Sequence, residues 1–373
     1  MTHAPILRVL DASLNRAGEG LRVAEDYARF VLDDSFLTRE IKSLRHALTT
    51  AATALPSTER HAARDTQQDV GTRISTAAEG SRADAWAVCS ASLKRTEQSL
   101  RSLEEYGKLA NAQFASRCES LRYRLYTLEK ALDIGRCSRE RLDGVTLCVL
   151  IGGGPSPEAF EQLVKTLVGA GVGMLQLRDK ELDDRELTQR ARLMVSLTRR
   201  QPPAPPGVSA TDNHDHAKPP AEPGADGAPR TLAIINDRAD IAALASADGV
   251  HVGQEDLSVK DARTIVGPRA LVGVSTHNID QARAAVLDGA SYLGAGPTFA
   301  SRTKSFENFA GLEYLTTAAR EISLPTFAIG GINAENLPQV LAAGITRVAV
   351  SAAVTAAPHP ASAATELLAM LKH

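Results

Sequence analysis

Hydrophobic positions recur every three or four residues from Leu10 to about Leu132, and nothing in that stretch alternates with the period of a strand. Leu14, Leu21, Ala24, Ala28 and Val31 form one stripe, and Asn15, Glu19, Arg22, Asp26 and Arg29 form a second, polar one. This spacing predicts amphipathic helices. After Arg141 the period changes. Short apolar runs at 145–151, 174–178, 232–235, 249–252, 271–274, 292–294, 326–329 and 347–350 alternate with helical stretches, which predicts parallel strands joined by crossover helices. About eight such units predict a closed α/β ring, a (β/α)8 TIM barrel, because that number closes the sheet. An open doubly wound sheet is the competing arrangement, but Ile151-Gly-Gly-Gly-Pro155 lacks the G-x-G-x-x-G spacing expected after its first strand.

The chain therefore reads as an all-α domain over 1–140 followed by a barrel domain over 143–373. Residues 201–230 fit neither half. They are rich in Pro, Ala, Gly and Asp with almost no large apolar side chain, and such a composition buries too little surface to offset the entropy of ordering. A disordered insertion between the second barrel helix and the third strand is expected, with His214 and His216 as loop residues and not metal ligands.

The helical half repeats itself. Ala12-Ser-Leu-Asn-Arg16 and Ala91-Ser-Leu-Lys-Arg95 align at an offset of 79 residues (12 to 91), and the match stays in phase through Leu21/Leu100, Arg22/Arg101, Glu25/Glu104, Asp26/Glu105 and Tyr27/Tyr106. Charged positions kept in register with apolar ones predict a pseudo-symmetric pair of helices. Arg22, Glu25, Arg101 and Glu104 would then face each other or a ligand, against the alternative of a purely structural or dimerising interface. Residues 64–72 read as a polar loop placed to close over such a site.

Composition narrows the partners. A formal charge of −2 over 373 residues excludes a broad nucleic-acid or acidic-membrane surface, so any anion must be met locally. The N-terminal MTHAPILRVLDAS has no basic stretch followed by an apolar core, and no apolar run reaches the length of a membrane span. Cys89, Cys118, Cys137 and Cys148 show no C-x-x-C spacing, which predicts buried thiols in a reducing cytoplasm. Small-molecule partners are expected, with no nucleic acid and no membrane; a homo-oligomer is left open.

Barrels of this kind carry chemistry at the C-terminal ends of their strands. At the second, Gln176, Arg178 and Lys180 alternate, and strand alternation would set an amide and two cations on one face, suited to a multiply charged phosphate; Asp179 and Glu181 are available for a merely structural ion pair. Asn236-Asp237 ends the third strand and Gln254-Glu-Asp256 follows the fourth. Two carboxylates beside a cationic phosphate site suggest Mg²⁺, which takes oxygen ligands and shares them with phosphate, although residues of these types also cap helices. The run Gly294-Ala-Gly-Pro-Thr-Phe-Ala-Ser-Arg-Thr-Lys-Ser305 turns out of the sixth strand and presents hydroxyls and cations. Gly330-Gly331 and Val350-Ser351, after the seventh and eighth strands, resemble a phosphate cup.

Taken together these stretches resemble the thiamine-phosphate synthase family: 175–182, 235–242, 247–257, 272–278, 294–305, 328–336 and 348–354 occur in that family's order. Residues 12–30, 64–72 and 94–108 are similar to the helical ThiD2 domain that precedes the synthase in some bacteria and is associated with supplying the phosphorylated pyrimidine, a kinase role for which the chain shows no Walker loop. The resemblance implies a Mg²⁺-dependent transferase of thiamine biosynthesis that joins 4-amino-2-methyl-5-pyrimidinylmethyl diphosphate to a thiazole phosphate, the carboxylated thiazole included. It implies that Gln176, Arg178, Lys180 and Lys304 hold the diphosphate, the last three catalytically, and that Asp237 and Asp256 hold the metal. Asn236 and Ser275 would line the pyrimidine region, Ser301 and Thr303 the thiazole side, and Gly330, Gly331, Val350 and Ser351 the thiazole phosphate. His251 and His277 are read as packing residues. A thiazole tautomerase and a non-catalytic phosphate-binding module are the competing readings. Two stretches depart from the family: the first strand ends in Ile-Gly-Gly-Gly, and Ala300-Ser301 stands where the family carries Pro-Thr.

Overall fold

The computed structural model describes residues 4–64, 81–199, 230–299 and 310–372. Two units emerge, Met1–Ile134 with Arg320–Ser323, and Gly135–Ala319 with Leu324–His373.

The first unit is helical: α1 (Ala4–Asp26) running into a π turn (Tyr27–Val31), α2 (Ser35–Ala52), α3 (Ser57–Ala62), α4 (Ala85–Gly107) and α5 (Ala112–Arg141). Side-chain caps start three of them, with Asp34 accepting from the Leu37 N–H, Asp84 from Ala87 and Asn111 from Phe114. The repeated helices α1 and α4 pack antiparallel: Gly20 lies under Ser92 and Thr96, while Tyr27 meets the Trp86 ring at 5.7 Å. A Cβ on Gly20 would sit 2.2 Å from Thr96 Oγ1, so the close approach of the two backbones depends on glycine. Leu10, Leu21, Leu93, Leu100 and Leu103 are fully buried by it.

In the second unit eight parallel strands close into a barrel in sequence order: β1 (Leu147–Ile151), β2 (Met174–Leu177), β3 (Leu232–Asn236), β4 (Gly249–Val252), β5 (Leu271–Thr276), β6 (Tyr292–Ala295), β7 (Thr326–Ile329) and β8 (Val348–Val350). This is the (β/α)8 arrangement, with β8 pairing back onto β1 through Cys148 and Ala349. The helices between them are α6 (Pro157–Gly169), α7 (Asp184–Thr198), α8 (Ala239–Leu244), α9 (Val259–Val266), α10 (Ile279–Asp288), α11 (Gly311–Glu321), α12 (Leu337–Ala342), α13 (Ala352–Thr355) and α14 (Pro360–Met370). Met174, Leu232, Ile234, Leu271, Tyr292 and Phe327 fill the interior, the last two edge to face at 5.6 Å.

Cys89, Cys118 and Cys148 are buried and unpaired as expected, but Cys137 is exposed on α5. The expected loop over 65–72 and all of the insertion before Arg230 lie outside the described residues. Among the described residues no helix is long and apolar enough to cross a membrane.

Candidate active site at the barrel mouth

The strand β2 ends at Leu177, one residue earlier than its pattern suggested. Gln176 is the last polar group inside it and is buried. Arg178 and Lys180 therefore do not share a strand face; they stand in the loop beyond it. What orders that loop is Asp179, whose carboxylate accepts N–H bonds from Gly153 at 2.8 Å, Glu181 at 2.9 Å and Leu182 at 3.0 Å. Burial acts to raise its pKa, but the three backbone donors outweigh it and hold Asp179 below the usual carboxylate range. Asp179 is thus committed to the backbone and not to an ion pair with its basic neighbours. The glycine loop after β1, given no role from the sequence, is pinned from two sides, since the Gly153 carbonyl also accepts from buried Arg190 at 2.9 Å.

The next two strand ends bring carboxylates together. Asp237 has φ +61°, and the Arg238 N–H bonds back to the Asn236 carbonyl at 2.7 Å while the Asp237 N–H reaches His251 O at 2.7 Å. A three-residue turn through positive φ at a non-glycine residue is strained, and here it aims the side chain at Asp256. Burial, then the negative charge of Asp256 and a hydrogen bond with it, raise the Asp237 pKa; Lys180 and Arg178 act in the opposite direction. All four charged groups therefore share one neighbourhood. Neither carboxylate caps a helix, because the position before α8 is Arg238 and α9 is capped by Ser258. Asp256 also accepts from its own loop, the Gly253 N–H at 2.7 Å. The pair offers hard oxygen donors, the chemistry that suits Mg²⁺ shared with a phosphate.

Beneath the mouth, His251 is buried with both ring nitrogens bonded, Nδ1 to the Tyr292 hydroxyl at 3.2 Å and Nε2 to Ser275 Oγ at 2.9 Å. Burial pushes its pKa down to about 4, against a small opposing pull from Asp256, so the ring is neutral. Gln176 lies near the same Tyr292 phenol and acts to lower its pKa, against the burial that raises it. Tyr292 escaped the sequence reading because an aromatic at the start of a strand looks like core.

The sixth loop leaves the barrel on a fixed stem. Gly296 N–H bonds Thr276 O at 3.0 Å, the Thr298 N–H and hydroxyl both bond Ile329 O, and the Phe299 N–H bonds Gly330 O at 3.0 Å. His277 Nδ1 meets the Gly296 carbonyl at 2.5 Å, a structural role for that histidine. Ser301, Thr303 and Lys304 lie outside the described residues. Gly330 and Gly331 take φ of +102° and +66°, a backbone that glycine adopts without strain, and a Cβ on Gly330 would lie 2.8 Å from Pro297 Cα, so that glycine lets the sixth loop pack against this turn. The Ser351 hydroxyl donates to Leu150 O at 3.1 Å, so its proton is not free for an anion. Val350 is buried in β8.

Of the two expectations for the Arg/Glu rows of the helical unit, that they face each other or a ligand, the first does not hold. The register set by Gly20 and Tyr27 puts Arg22 level with about position 91 of α4, leaving Arg101 roughly 14 Å further along. Each glutamate instead belongs to its own half. Glu25 is held by Arg22 at 3.5 Å and by Arg45 of α2 at 2.9 Å. Glu104 is held by Arg101 at 2.8 Å and by Arg122 of α5 at 2.8 and 3.0 Å. Both glutamates are buried. The second partners were missed because the repeat slips by two residues between its helices: Asp34/Asn111, Leu37/Phe114, Arg45/Arg122 and Leu48/Leu125 align at an offset of 77 (34 to 111).

Residues 226–354 match the family model described as thiamine monophosphate synthase, and residues 8–131 match that of the ThiD2 family. A thiamine-phosphate synthase of Rhodopirellula baltica is 44% identical over 363 residues, spanning 95% of this chain and 89% of that protein. The thiamine-phosphate synthases of Synechocystis sp. and Thermosynechococcus vestitus are each 38% identical over 98% of this chain, covering 96% and 94% of their own lengths. The likeness thus runs through the helical unit as well as the barrel.

Proposed function

This chain belongs to the thiamine-phosphate synthase family, transferases of thiamine biosynthesis, and we propose that it joins 4-amino-2-methyl-5-pyrimidinylmethyl diphosphate to 4-methyl-5-(2-phosphoethyl)thiazole, releasing diphosphate, or to its carboxylated form, releasing diphosphate and CO2. The observation that carries this reading is the Asp237–Asp256 pair set beside Arg178 and Lys180 at successive strand ends. A tautomerase, or a module that only binds phosphate, would have no use for it.

In the proposed reaction the bond between the pyrimidinylmethyl carbon and its diphosphate oxygen breaks with the electron pair leaving on oxygen. The aminopyrimidine delocalises the resulting cation, and the thiazole nitrogen lone pair forms the new C–N bond. No general base is needed; the barrier lies in charge separation. Arg178 and Lys180 stabilise the departing diphosphate, Gln176, Asn236 and Ser275 line the pyrimidine side, and the backbone at Gly330, Gly331, Val350 and Ser351 receives the thiazole phosphate. By the same reading Lys304 joins the diphosphate cations while Ser301 and Thr303 border the thiazole. Asp237 and Asp256 would hold Mg²⁺, which when bound neutralises diphosphate charge.

We assign this step to a domain at 143–373. The domain at 1–140, matched by the ThiD2 family model, supplies the pyrimidine by phosphorylating its monophosphate, with Arg22, Glu25, Arg101 and Glu104 as its candidate residues. Free thiols fit a cytoplasmic location.

The test incubates the full-length protein with both substrates, with and without Mg²⁺, and follows diphosphate and thiamine phosphate. No product under conditions where a known synthase turns over sinks the reading. Adding ATP and the pyrimidine monophosphate in place of the diphosphate tests the helical domain separately.

A further inference from the structure

Asn336 stands at the N-cap of α12, where an asparagine ordinarily spends its side chain on the N–H groups of the helix, yet it gives α12 no such bond. Its amide serves the turn after β7 instead. Oδ1 accepts from the Asn333 N–H at 2.9 Å, and Nδ2 donates to the Gly331 carbonyl at 2.8 Å. A backbone N–H only donates and a carbonyl only accepts, so the partners fix both ends of the amide. Asn333 returns the first bond, its Oδ1 accepting from the Asn336 N–H at 3.1 Å and the Glu335 N–H at 3.0 Å. This reciprocal pair is a capping box, and it accounts for Oδ1 alone. A carboxylate at 336 would serve the box as well. The bond from Nδ2 is the one that requires an amide.

That bond acts on the turn where the thiazole phosphate is placed. Three successive carbonyls of the turn are held: Ile329 O by the Thr298 N–H and hydroxyl at 2.9 and 3.0 Å, Gly330 O by the Phe299 N–H at 3.0 Å, and Gly331 O by Asn336. In a trans peptide the carbonyl and the following N–H point in opposite directions. Each held carbonyl therefore turns one N–H away from its partner, and these are the N–H groups of Gly330, Gly331 and Ile332. None of the three has a backbone partner among the described residues. Successive unpaired N–H groups at left-handed glycines form an anion-binding concavity.

We propose that Asn336 is a positioning residue for the thiazole phosphate: by holding the Gly331 carbonyl it turns the Ile332 N–H toward the anion and completes a set of three backbone donors. This rests on the placement of that phosphate at Gly330 and Gly331 made above. The sixth loop sets the first two donors, and the third depends on one side chain.

The experiment compares the full-length protein with Asn336→Asp and Asn336→Ala. Aspartate keeps the acceptor of the capping box and loses the donor, whereas alanine loses both. Kinetics at low and high salt give kcat and KM for each substrate, thermal midpoints report on the fold, and inorganic phosphate is titrated against the Ile332 amide in ¹⁵N-isoleucine-labelled protein. Asn336→Asp is expected to raise the KM for the thiazole phosphate about tenfold while the KM for the pyrimidine diphosphate stays within about twofold of native. Most of the rise should persist in high salt, where repulsion from the new carboxylate is screened. The Ile332 amide should shift with phosphate in the native protein, and Asn336→Asp should weaken that binding about tenfold. A native KM in Asn336→Asp beside a lowered thermal midpoint in Asn336→Ala would show a capping role only and overturn the proposal. So would a rise in KM that vanishes in high salt, or an Ile332 amide indifferent to phosphate. A native protein with no turnover defeats the proposed function instead, and the phosphate titration then decides the role of Asn336 alone.

Discussion

The carboxyl group of Asp237 lies close enough to that of Asp256 for the Asp256 charge to raise its pKa, although the two come from the ends of different strands. Such an arrangement destabilises the empty fold and is retained only where something else gains from it. Asp237 adopts a strained positive φ to reach it, so the backbone and the side chain are both held away from their preferred states at the same place.

Asp256→Asn separates the two effects. Removing one charge should raise the thermal midpoint measured in chelator, by an amount on the order of 0.5–1 kcal/mol, while turnover falls by at least about a hundredfold and its dependence on Mg²⁺ disappears. Calorimetry in chelator and a Mg²⁺ titration of activity check the two halves. A variant that keeps Mg²⁺-dependent turnover at the native level would remove the pair from the metal-binding role.

Asp179→Ala addresses loop order without touching a cation. Losing the acceptor for the Gly153, Glu181 and Leu182 N–H groups should let Arg178 and Lys180 sample positions away from the diphosphate. The expected outcome is a rise of about tenfold in KM for the pyrimidine diphosphate with a change of about 1 kcal/mol or less in stability. Because Asp179 is held below the usual carboxylate range, the native loop keeps its order through neutral pH and loses it only in acid. Steady-state kinetics with the diphosphate substrate varied would show the effect, and an unchanged KM would mean that the loop is ordered by other contacts.

The eight strands are legible because parallel strands buried on both faces read as short, mainly apolar runs, and at Gly249–Val252 and Thr326–Ile329 the pattern and the structure coincide. The approach of Arg178 and Lys180 to the carboxylates has a different cause from the one their spacing suggests. Alternation along β2 would align them on one strand face, whereas the strand stops at Leu177 and an Asp-centred turn carries them onward. Residues meeting across the barrel, such as Gln176 and Tyr292, leave no trace in a one-dimensional pattern, since no period links positions so distant in the chain. The offset of 79 located Glu25 and Glu104 but not Arg45 and Arg122, because the turn between helices is two residues shorter in the second copy and the phase is lost there.

The two Arg–Glu clusters are equivalent by sequence but not by strength. Arg45 gives Glu25 one bond at 2.9 Å. Arg122 gives Glu104 two, donates to Tyr126 Oη at 3.2 Å, and lies over the rings of Tyr123 and Tyr126 at 4.8 and 5.6 Å. Removing either arginine leaves a buried carboxylate with only its exposed partner, Arg22 or Arg101. Arg122→Met should cost about 3 kcal/mol and Arg45→Met roughly 1–2 kcal/mol, read from denaturant midpoints of the full-length protein. Equal losses would show that the aromatic and tyrosine contacts of Arg122 contribute little.

Glu97 of α4 and Glu129 of α5 break the repeat, for their counterparts at the two offsets are Gly18 and Ala52. Lys94 reaches both, at 3.2 and 2.8 Å, yet burial and the bond to Glu129 push Glu97 up to about 7, with Lys94 opposing. Glu129 stays below its ordinary range, because the bonds from Glu97 and Lys94 outweigh its burial. Below about pH 7 the two carboxyls thus hold a proton between them, mainly on Glu97. A carboxyl with a raised folded pKa binds its proton more tightly in the native state, so its contribution is fully present below about 4.5 and is lost as pH rises through about 7. Glu129 acts the other way but only at lower pH, outside this window. Stability of the native protein should therefore decline between pH 4.5 and 7 by an amount on the order of 1 kcal/mol after screening by water and Lys94. Glu97→Gln presents an amide N–H to Glu129 at every pH, which should flatten the decline and leave the variant more stable than the native protein above pH 7. Urea midpoints for the two proteins, taken at half-unit steps from pH 4.5 to 8, decide it: parallel curves would mean that the shared proton is absent.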